Sequence, residues 1–420
     1  MKPLFLPFIC SFLCATTVVA DDWPAFLGPH GAARSTETVP TNWSETESLL
    51  WKVDLPGSGS SSPIIVGNRI IVTCYVAGDA PQRQVVCFSK DTGKQIWSLD
   101  FPIEYSEDRY QGYITEHGYA SNTPVTDGKD VFVFLGKGGV HSITLDGERN
   151  WSVDAGKGSS NRQWGSAASL VLHKDNVIVN ASEEDKTILC LEKATGKQVW
   201  RQDADMLELT YGTPRVVATP TGDEIVISVP GEIWSMNPAT GKLKWYAVSP
   251  MTGNVSPSVI VDGDTIYSFG GYRASGSIAV KVGGSKDVTD TNVLWSNRSS
   301  SYVATPLLHE GRFYWIDDRG IAYCTSAEDG EVVYRERVEN LESGRPVYAS
   351  PVLIGKHIYV VTRRSGTIVY APGDGFQPIA QNKLAGDETD FNASPAISDG
   401  KLYLRSNQSL YCIGSNTASR

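Results

Sequence analysis

Adjacent cysteines, haem-attachment strings and metal-binding clusters are all missing from this sequence of 420 residues. Two of its seven cysteines, Cys10 and Cys14, lie in the first twenty residues, and the other five fit neither a zinc site nor a small disulfide framework. No loop carries the closely spaced Asp, Asn and Glu residues of a calcium site, and no spacing marks an activated nucleophile. The sequence therefore predicts no metal site and indicates no catalytic residue.

Positive charge is also in short supply, since 37 Lys and Arg residues are outnumbered by 47 Asp and Glu residues, for a formal net charge of −10. A protein that binds nucleic acid needs cationic side chains to neutralise phosphates. We therefore expect no nucleic-acid partner.

Long hydrophobic runs are missing apart from one short run near the start. LFLPFICSFLCATTVV at 4–19 follows a lysine and precedes a small residue, as in a signal peptide. The run is shorter than the ~20 residues that a membrane-spanning helix needs. The sequence thus predicts a signal peptide over 1–20, a mature chain that starts near Asp21, no membrane span, and a secreted or periplasmic location.

The sequence is rich in repeats. KDTGKQIW at 90–97 returns as KATGKQVW at 193–200 and as PATGKLKW at 238–245. Each copy follows a β-branched run, and its glycine suits a hairpin turn that needs a positive φ. Each octapeptide belongs to a longer repeat unit that holds four short strands. Units of this kind are typical of propeller blades.

The number of units follows from two recurring residues. A proline opens the first strand of each unit except one, where GSAAS at 165–169 stands in its place; these are Pro63, Pro124, Pro214, Pro257, Pro306, Pro351 and Pro395. An aromatic residue marks the fourth strand at Trp51, Trp97, Trp151, Trp200, Trp245, Trp295 and Tyr334, with a degenerate eighth place near residue 379. The sequence predicts an all-β, eight-bladed propeller of four-stranded antiparallel blades, with seven blades as the alternative.

The last unit runs out after three strands, whereas Trp51 precedes the first proline. We therefore predict that 49–55 supplies the outer strand of the last blade, which closes the ring and removes exposed sheet edges. The expected organisation is a signal peptide over 1–20, an N-terminal extension over 21–48 and a propeller over 49–415.

Four of the cysteines occupy one equivalent position in the repeat, namely Cys87, Cys190, Cys324 and Cys412, and His141 and Ser235 fill the same position in other units. This pattern favours packing between blades over a redox or metal role. Cys74 lies outside the pattern. A hairpin centred between residues 80 and 81 places it opposite Cys87, so the two form either a cross-strand disulfide or a pair of free buried thiols.

VVCFSKDTGKQIW, ILCLEKATGKQVW and IWSMNPATGKLKW resemble the repeats of the pyrroloquinoline quinone (PQQ) type of β-propeller. That family includes PQQ-dependent dehydrogenases and non-enzymatic proteins similar to the outer-membrane assembly factor BamB. The opening of the mature chain, DWPAFLGPHGAARS, is similar to secreted PQQ-like proteins of planctomycete bacteria. The resemblance covers about residues 50–415 and implies fold more strongly than function.

The dehydrogenases of this family use an adjacent Cys-Cys disulfide on one face of the quinone, a Trp on the other, and a calcium ion. Trp164 alone could be carried over as a stacking residue, because the sequence has no Cys-Cys pair. We therefore expect no cofactor, with PQQ as the alternative.

In a propeller the residues that precede each first strand line one mouth of the central channel. Aromatic, Arg and Asn side chains recur there and suit a protein, peptide or glycan ligand; in the alternative interpretation they only plug the channel. The candidate residues are Tyr119, Asn122, Arg162, Trp164, Tyr211, Asn254, Tyr302, Arg345, Tyr348 and Phe391.

One insertion, at 101–122, interrupts the repeat and is expected to lean over this mouth. It carries a mixture of charges that either serves acid–base chemistry or is ordinary hydrogen-bonded surface: Glu104, Glu107, Asp108, Arg109, Glu116 and His117. The leading hypothesis is a monomeric, non-enzymatic binding or scaffold protein; the alternative is a PQQ-dependent or other cofactor-using oxidoreductase.

Overall fold

Eight sheets form a ring in the computed structural model, which describes residues 22–415. Each sheet has four antiparallel strands ordered from the channel outward, and two of them gain a short fifth strand. The predicted eight-bladed β-propeller is confirmed. The predicted signal peptide and the start near Asp21 lie outside the described residues.

The four main strands of each blade follow one another from the channel to the rim. Blades 1 and 2 are Ile64–Val66, Arg69–Val76, Gln82–Ser89, Gln95–Pro102, and Val125–Thr126, Asp130–Phe134, Val140–Thr144, Arg149–Val153. Blades 3 and 4 are Val171–His173, Asn176–Ala181, Thr187–Glu192, Gln198–Asp203, and Arg215–Val217, Glu224–Val229, Glu232–Met236, Leu243–Val248. Blades 5 and 6 are Ile260–Asp262, Thr265–Gly270, Gly276–Lys281, Val293–Asn297, and Leu307–His309, Arg312–Ile316, Ile321–Ser326, Val332–Arg337. Blades 7 and 8 are Val352–Ile354, His357–Val361, Thr367–Tyr370, Pro378–Asn382, and Ala396–Ser398, Lys401–Arg405, Ser409–Ile413, Leu49–Asp54.

Helices are short and lie in the connections. The α-helical turns are Ile114–His117, Ser182–Asp185 and Thr289–Asn292, and the 3-10 turns are Pro29–Gly31, Gly136–Gly138 and Asp205–Leu207. Within residues 22–415, no helix has the length and apolar character needed to cross a bilayer.

The two ends of the propeller meet in blade 8. Leu49–Asp54 pairs antiparallel with Ser409–Ile413, and Trp51 lies opposite Cys412. A strand near the start of the chain thus completes the last blade. As a result, the third strand of blade 8 is paired on both sides and is not an open edge to which another chain could add a strand.

The repeated octapeptide joins neighbouring blades. Trp97 of blade 1 donates from Nε1 to the carbonyl of Leu145 in the turn of blade 2, at 2.9 Å. Its ring lies against Gly147, where an added Cβ would be only 2.8 Å from the ring. The same pairing recurs as Trp51 with Gly93, Trp151 with Gly196, Trp200 with Gly241 and Trp295 with Gly330. The Trp and the turn glycine therefore recur together because each turn receives the Trp of the preceding blade.

Small residues lie opposite these aromatics on the third strands: Cys87 opposite Trp97, Cys190 opposite Trp200, Ser235 opposite Trp245, and Cys324 opposite Tyr334. In blade 2 this place belongs to Ser142 and not to His141, which pairs instead with Ser152. The prediction for His141 is therefore wrong by one residue.

The two cysteines of blade 1 are not opposite each other. Cys74 pairs with Gln84, and Cys87 pairs with Ile71, so the hairpin is centred on Asp79. Because side chains alternate between faces along a strand, this odd offset points the two thiols to opposite faces of the blade. Both are buried and free, which corrects the predicted cross-strand pairing.

Residues 22–48, which we call the strap, run along the end of the propeller that carries the turns between first and second strands. Trp23 exchanges two backbone hydrogen bonds with Ile65 of blade 1, and Arg34–Ser35 pairs in parallel with the first strand of blade 7. Trp23, Leu27 and Trp43 are buried. The predicted N-terminal extension is thus packed against the core of several blades.

Candidate functional site

A closed ring of hydroxyl groups surrounds the channel where the eight first strands begin. In each blade the residue two positions before the first strand is Ser or Thr, and its backbone N–H donates to the hydroxyl oxygen of the equivalent residue in the next blade. The eight bonds are 2.9–3.1 Å long. In order, the ring is Ser62, Thr123, Ser169, Thr213, Ser258, Thr305, Ser350 and Ser394.

Every member of this ring is buried and lines one central cavity of about 160 Å³. Each hydroxyl oxygen already accepts a bond from a backbone N–H, and none donates to any residue in the described part of the chain. The ring therefore fastens neighbouring blades together and also presents polar hydroxyl groups to the cavity.

Aromatic side chains form the wall of the cavity above the ring. They are Tyr113, Trp164, Tyr211, Tyr302 and Tyr348. Trp164 lies edge-on to Tyr113, with ring centroids 4.4 Å apart, and roughly parallel to Tyr211 at 6.3 Å. Such rings offer flat apolar faces to a ligand.

The helical turn Ile114–His117 of the insertion closes this mouth of the channel. The hydroxyl of Tyr113, just before the turn, accepts a hydrogen bond from Arg345, whose guanidinium lies over the Tyr113 ring at 4.3 Å and over Tyr302 at 5.2 Å. Since Arg345 comes from the connection into blade 7, the insertion spans the mouth. The expectation that it leans over the mouth describes its position correctly.

Two further contacts hold the insertion at its tip. Glu116 forms an ion pair with Arg363, which also bonds Asp390. His117 donates from Nε2 to the carbonyl of Trp164 at 2.9 Å, and its Nδ1 lies 2.6 Å from the Ser121 hydroxyl. Burial lowers the pKa of His117 to about 4, so the ring is neutral at pH 7. Both residues therefore hold the insertion in place rather than serving as free acid–base groups.

Two buried ion pairs hold the base of the insertion in place. Arg83 pairs with Glu107 at 2.6 Å, and Lys137 pairs with Asp108 at 2.8 Å. Beside them burial raises the pKa of Glu183 to about 8. The two carboxylates that the sequence offered for acid–base work, Glu107 and Asp108, are thus engaged in ion pairs.

The opposite end of the cavity is reached by Phe26 of the strap, which lies among its lining residues. The strap is held across the blades there by Arg215, which donates to the Gly31 carbonyl at 2.8 Å, and by its own Arg34, which donates to the Leu308 carbonyl at 2.8 Å. Burial lowers the pKa of Arg215 to about 10. The cavity is therefore covered by the insertion at one end and by the strap at the other.

The structure brings together half of the predicted mouth residues: Trp164, Tyr211, Asn254, Tyr302 and Tyr348 line the cavity. Arg162 borders an open groove beside it, together with Trp164 and Asn254, and Arg345 holds Tyr113. Both arginines are thus at the mouth but outside the cavity wall.

Three predicted residues lie elsewhere. Tyr119 packs on Tyr75, with ring centroids 4.6 Å apart, beside the buried charges at the base of the insertion. Asn122 is buried and bonds the Ala168 carbonyl at 2.7 Å. Phe391 turns away from the mouth and stacks on Tyr411. The side chains of these three residues pack between elements. The sequence criterion, a position shortly before the proline of a first strand, does not indicate where a side chain points.

Sequence reasoning missed Tyr113, the strap residue Phe26 and the hydroxyl ring. The ring had a signal, because Ser or Thr recurs two positions before every first strand. Tyr113 and Phe26 had none, since both belong to segments outside the repeat. Within residues 22–415, no group of three or more His, Cys, Asp and Glu side chains is arranged to hold a metal ion.

Comparison with known proteins identifies the repeats. The family described as outer membrane protein assembly factor BamB matches residues 35–186, 181–286 and 286–420. The chain belongs to this family. It is 23% identical over 336 residues to the BamB of Yersinia pestis, covering 76% of this chain and 77% of that protein. It is also 23% identical over 395 residues to the BamB of Burkholderia pseudomallei (strain K96243), covering 81% and 93%.

Solved structures share the fold at low sequence identity. BamB from Moraxella catarrhalis superposes with a TM-score of 0.63 and 15% identity, covering 89% of this chain and 98% of that one. The quinohemoprotein alcohol dehydrogenase from Comamonas testosteroni gives a TM-score of 0.64 and 12% identity, covering 95% and 81%. A BamB-family protein and an enzyme thus share one architecture, so the fold does not select a function.

Proposed function

We propose that this BamB-family chain is a non-enzymatic scaffold that binds a segment of a partner protein at the mouth formed by the insertion and blades 3–7. The observation that carries the proposal is the composition of this mouth. Arg162 lies near the Trp164 ring and Arg345 lies over the Tyr302 ring, with the exposed Tyr272 beside Tyr302. Aromatic and Arg side chains are enriched where proteins bind one another.

The names of the relatives support a protein partner. Both curated relatives are called outer membrane protein assembly factors, and an assembly factor acts on other proteins. A location outside the cytoplasm is supported by the same names and by the signal-peptide-like start. We propose that the working form is a monomer.

The competing proposal is a PQQ-dependent oxidoreductase, and the side chains at the mouth do not fit the quinone. The quinone would have to stack on the Trp164 ring, but Tyr113 already contacts that ring. The five described cysteines lie in four different blades and are all free, so none forms the adjacent pair that would cover the other face. A small cofactor that uses this wall would have to displace the insertion first.

A double variant at the mouth, compared with a double variant elsewhere, tests whether the mouth residues bind a partner or only pack against each other. Trp164→Ala and Arg345→Ala, made together, should abolish capture of the partner that wild type retains from a periplasmic extract, provided that circular dichroism shows an intact β-fold. A control with Lys197→Gln and Lys242→Gln, in the turns at the other end of the blades, should retain capture. Equal capture by the mouth variant would overturn the proposal.

The oxidoreductase alternative has its own measurement. Native mass spectrometry and an absorption spectrum of protein purified from its own host should show the mass of the polypeptide alone and no chromophore. A stoichiometric quinone in both would replace the scaffold proposal.

A further inference from the structure

An open groove lies beside the covered cavity, on the same end of the propeller. It is bordered by the connections into blades 3, 4 and 5 and by the loop between the second and third strands of blade 5. Its polar and apolar lining includes Arg162, Trp164, Leu209, Thr252, Tyr272 and Arg273. The loop that carries Tyr272 and Arg273 is anchored, because Thr252 bonds the backbone of Tyr272 at 2.9 Å and of Ala274 at 3.2 Å.

The two arginines of this groove are not neutralised. Among the described residues, no carboxylate forms an ion pair with Arg162 or Arg273, and both side chains are exposed. The guanidinium of Arg162 lies 5.7 Å from the Trp164 ring. The nearby carboxylate of Glu208 is engaged by Asn161 at 2.8 Å and lies 4.0 Å from Lys186.

Arginines in the neighbouring pocket at blades 6–8 differ in this respect. Arg363 and Arg364 both pair with Asp390, and Arg345 lies 3.8 Å from Asp318. In a chain whose formal net charge is −10, two free arginines that border one groove form a local cationic site. Charge complementarity therefore favours an anionic partner there.

Apolar surface accompanies the charge. Tyr272 is 55% exposed and packs near Tyr302, with ring centroids 5.9 Å apart. Leu209 and the edge of Trp164 continue this surface along the groove. An acidic sugar would use the arginines but leave Leu209 without a matching contact, whereas a peptide brings both carboxylates and apolar side chains.

We propose that this groove binds an extended acidic segment of a partner protein, with Arg162 and Arg273 pairing its Asp or Glu carboxylates and Tyr272 covering an intervening apolar side chain. The planar guanidinium matches a carboxylate in two parallel hydrogen bonds. This inference rests on the proposed scaffold function and specifies the class of segment that the mouth takes.

The test uses the full mature protein and synthetic peptides in calorimetric titrations. One peptide alternates Glu and Asp with Phe and Leu, and its match replaces every acidic residue by Gln or Asn. The acidic peptide should bind wild type, and its affinity should fall as salt screens the charges. Arg162→Gln with Arg273→Gln should weaken binding by at least about tenfold. Tyr272→Ala should weaken it too, and this exposed site carries little risk to folding.

Matched controls separate the local effect from net charge. Lys197→Gln with Lys242→Gln removes the same charge from the opposite end of the propeller and should leave the affinity unchanged. Equal affinity of the arginine variant and wild type would overturn the inference. So would preference for the neutral peptide, which would leave the scaffold function standing, or binding of polygalacturonate in place of either peptide.

Discussion

The turn glycines meet two separate demands at the scale of single residues. Gly196 has a φ of 72° and also lies against the Trp151 ring, where a Cβ would be 2.7 Å from the nearest ring atom. Gly263 has a similar φ of 58°, but an added Cβ there would meet nothing within 4 Å. The two positions thus separate backbone strain from steric overlap.

We expect Gly263→Ala to lower the free energy of unfolding by about 1 kcal/mol, because only the left-handed backbone is penalised. Gly196→Ala should cost a further ~1–3 kcal/mol, since the Trp has to shift out of a packed contact. Chemical denaturation of both variants measures the difference. Equal losses would mean that the Trp is free to move and that the contact between blades is loose.

The hydroxyl ring makes a second residue-scale prediction. Thr213→Val keeps the shape of the side chain but removes the acceptor of the Ser169 N–H, which is buried and bonds it at 3.1 Å. An unsatisfied buried donor costs ~1–3 kcal/mol, so the stability should fall by about that amount. Thr213→Ser keeps the acceptor and is expected to be close to wild type in the same denaturation experiment. If Val and Ser variants unfold alike, the ring contributes little.

Local repetition determined what could be predicted at this scale. Gly93, Gly196 and Gly241 were identifiable as turn residues because the surrounding octapeptide repeats. The partner of each glycine was not, since the Trp that packs on it comes from the preceding blade. His141 was misplaced by one position because the turn of blade 2 is tighter than a fixed count from its glycine allows.

At the scale of elements, the insertion is held over the mouth partly by a neutral histidine. An exposed His has a pKa near 6.5, whereas the docked His117 has a pKa of about 4. A released insertion therefore takes up a proton that the docked one excludes. Docking is fully stabilised above about pH 6.5, and the stabilisation is lost as pH falls toward 4.

Hydrogen exchange of residues 112–121, corrected for the intrinsic effect of pH, should therefore accelerate between about pH 6 and pH 4 in wild type. His117→Gln can still donate to the Trp164 carbonyl but does not titrate, so its opening should depend less on pH. Glu116, Arg363 and Asp390 also face the insertion tip and are unchanged in the variant, so the difference between the two proteins isolates the histidine. Identical pH profiles in the two proteins would contradict a role for His117 in the pH dependence.

Element positions were predictable where strands follow one another in the repeat, and less so elsewhere. The pairing of Cys74 was misjudged because the turn after the second strand of blade 1 is centred on Asp79, and no repeat fixed its centre. The contact between Tyr113 and Arg345 joins residues far apart in the chain, and such a contact leaves no periodic signal. The insertion and its position over the mouth could thus be predicted from sequence, but the contacts that hold it there could not.

At the scale of the whole molecule, two N-terminal segments hold the ring closed in different ways. Leu49–Asp54 supplies the outer strand of blade 8, while the strap buries Trp23, Leu27 and Trp43 and adds only the two-residue strand Arg34–Ser35 beside the first strand of blade 7. Strand pairing prevents an open edge, and the strap adds hydrophobic contact across the blades. Removing first the strap and then also Leu49–Asp54 should therefore produce two different defects.

A protein that starts at residue 46 lacks strap residues 22–45 but keeps the closing strand. It should remain monomeric and unfold at a lower temperature, because the loss of even one buried Trp costs roughly 3–5 kcal/mol. A protein that starts at residue 57 also lacks Trp51 and exposes the third strand of blade 8, so it should self-associate along that edge. Thermal unfolding and light scattering distinguish these outcomes. If the first truncation melts like a protein that starts at residue 21, the strap is only loosely attached. If the second stays monomeric with the same melting temperature as the first, ring closure by Leu49–Asp54 contributes nothing to stability.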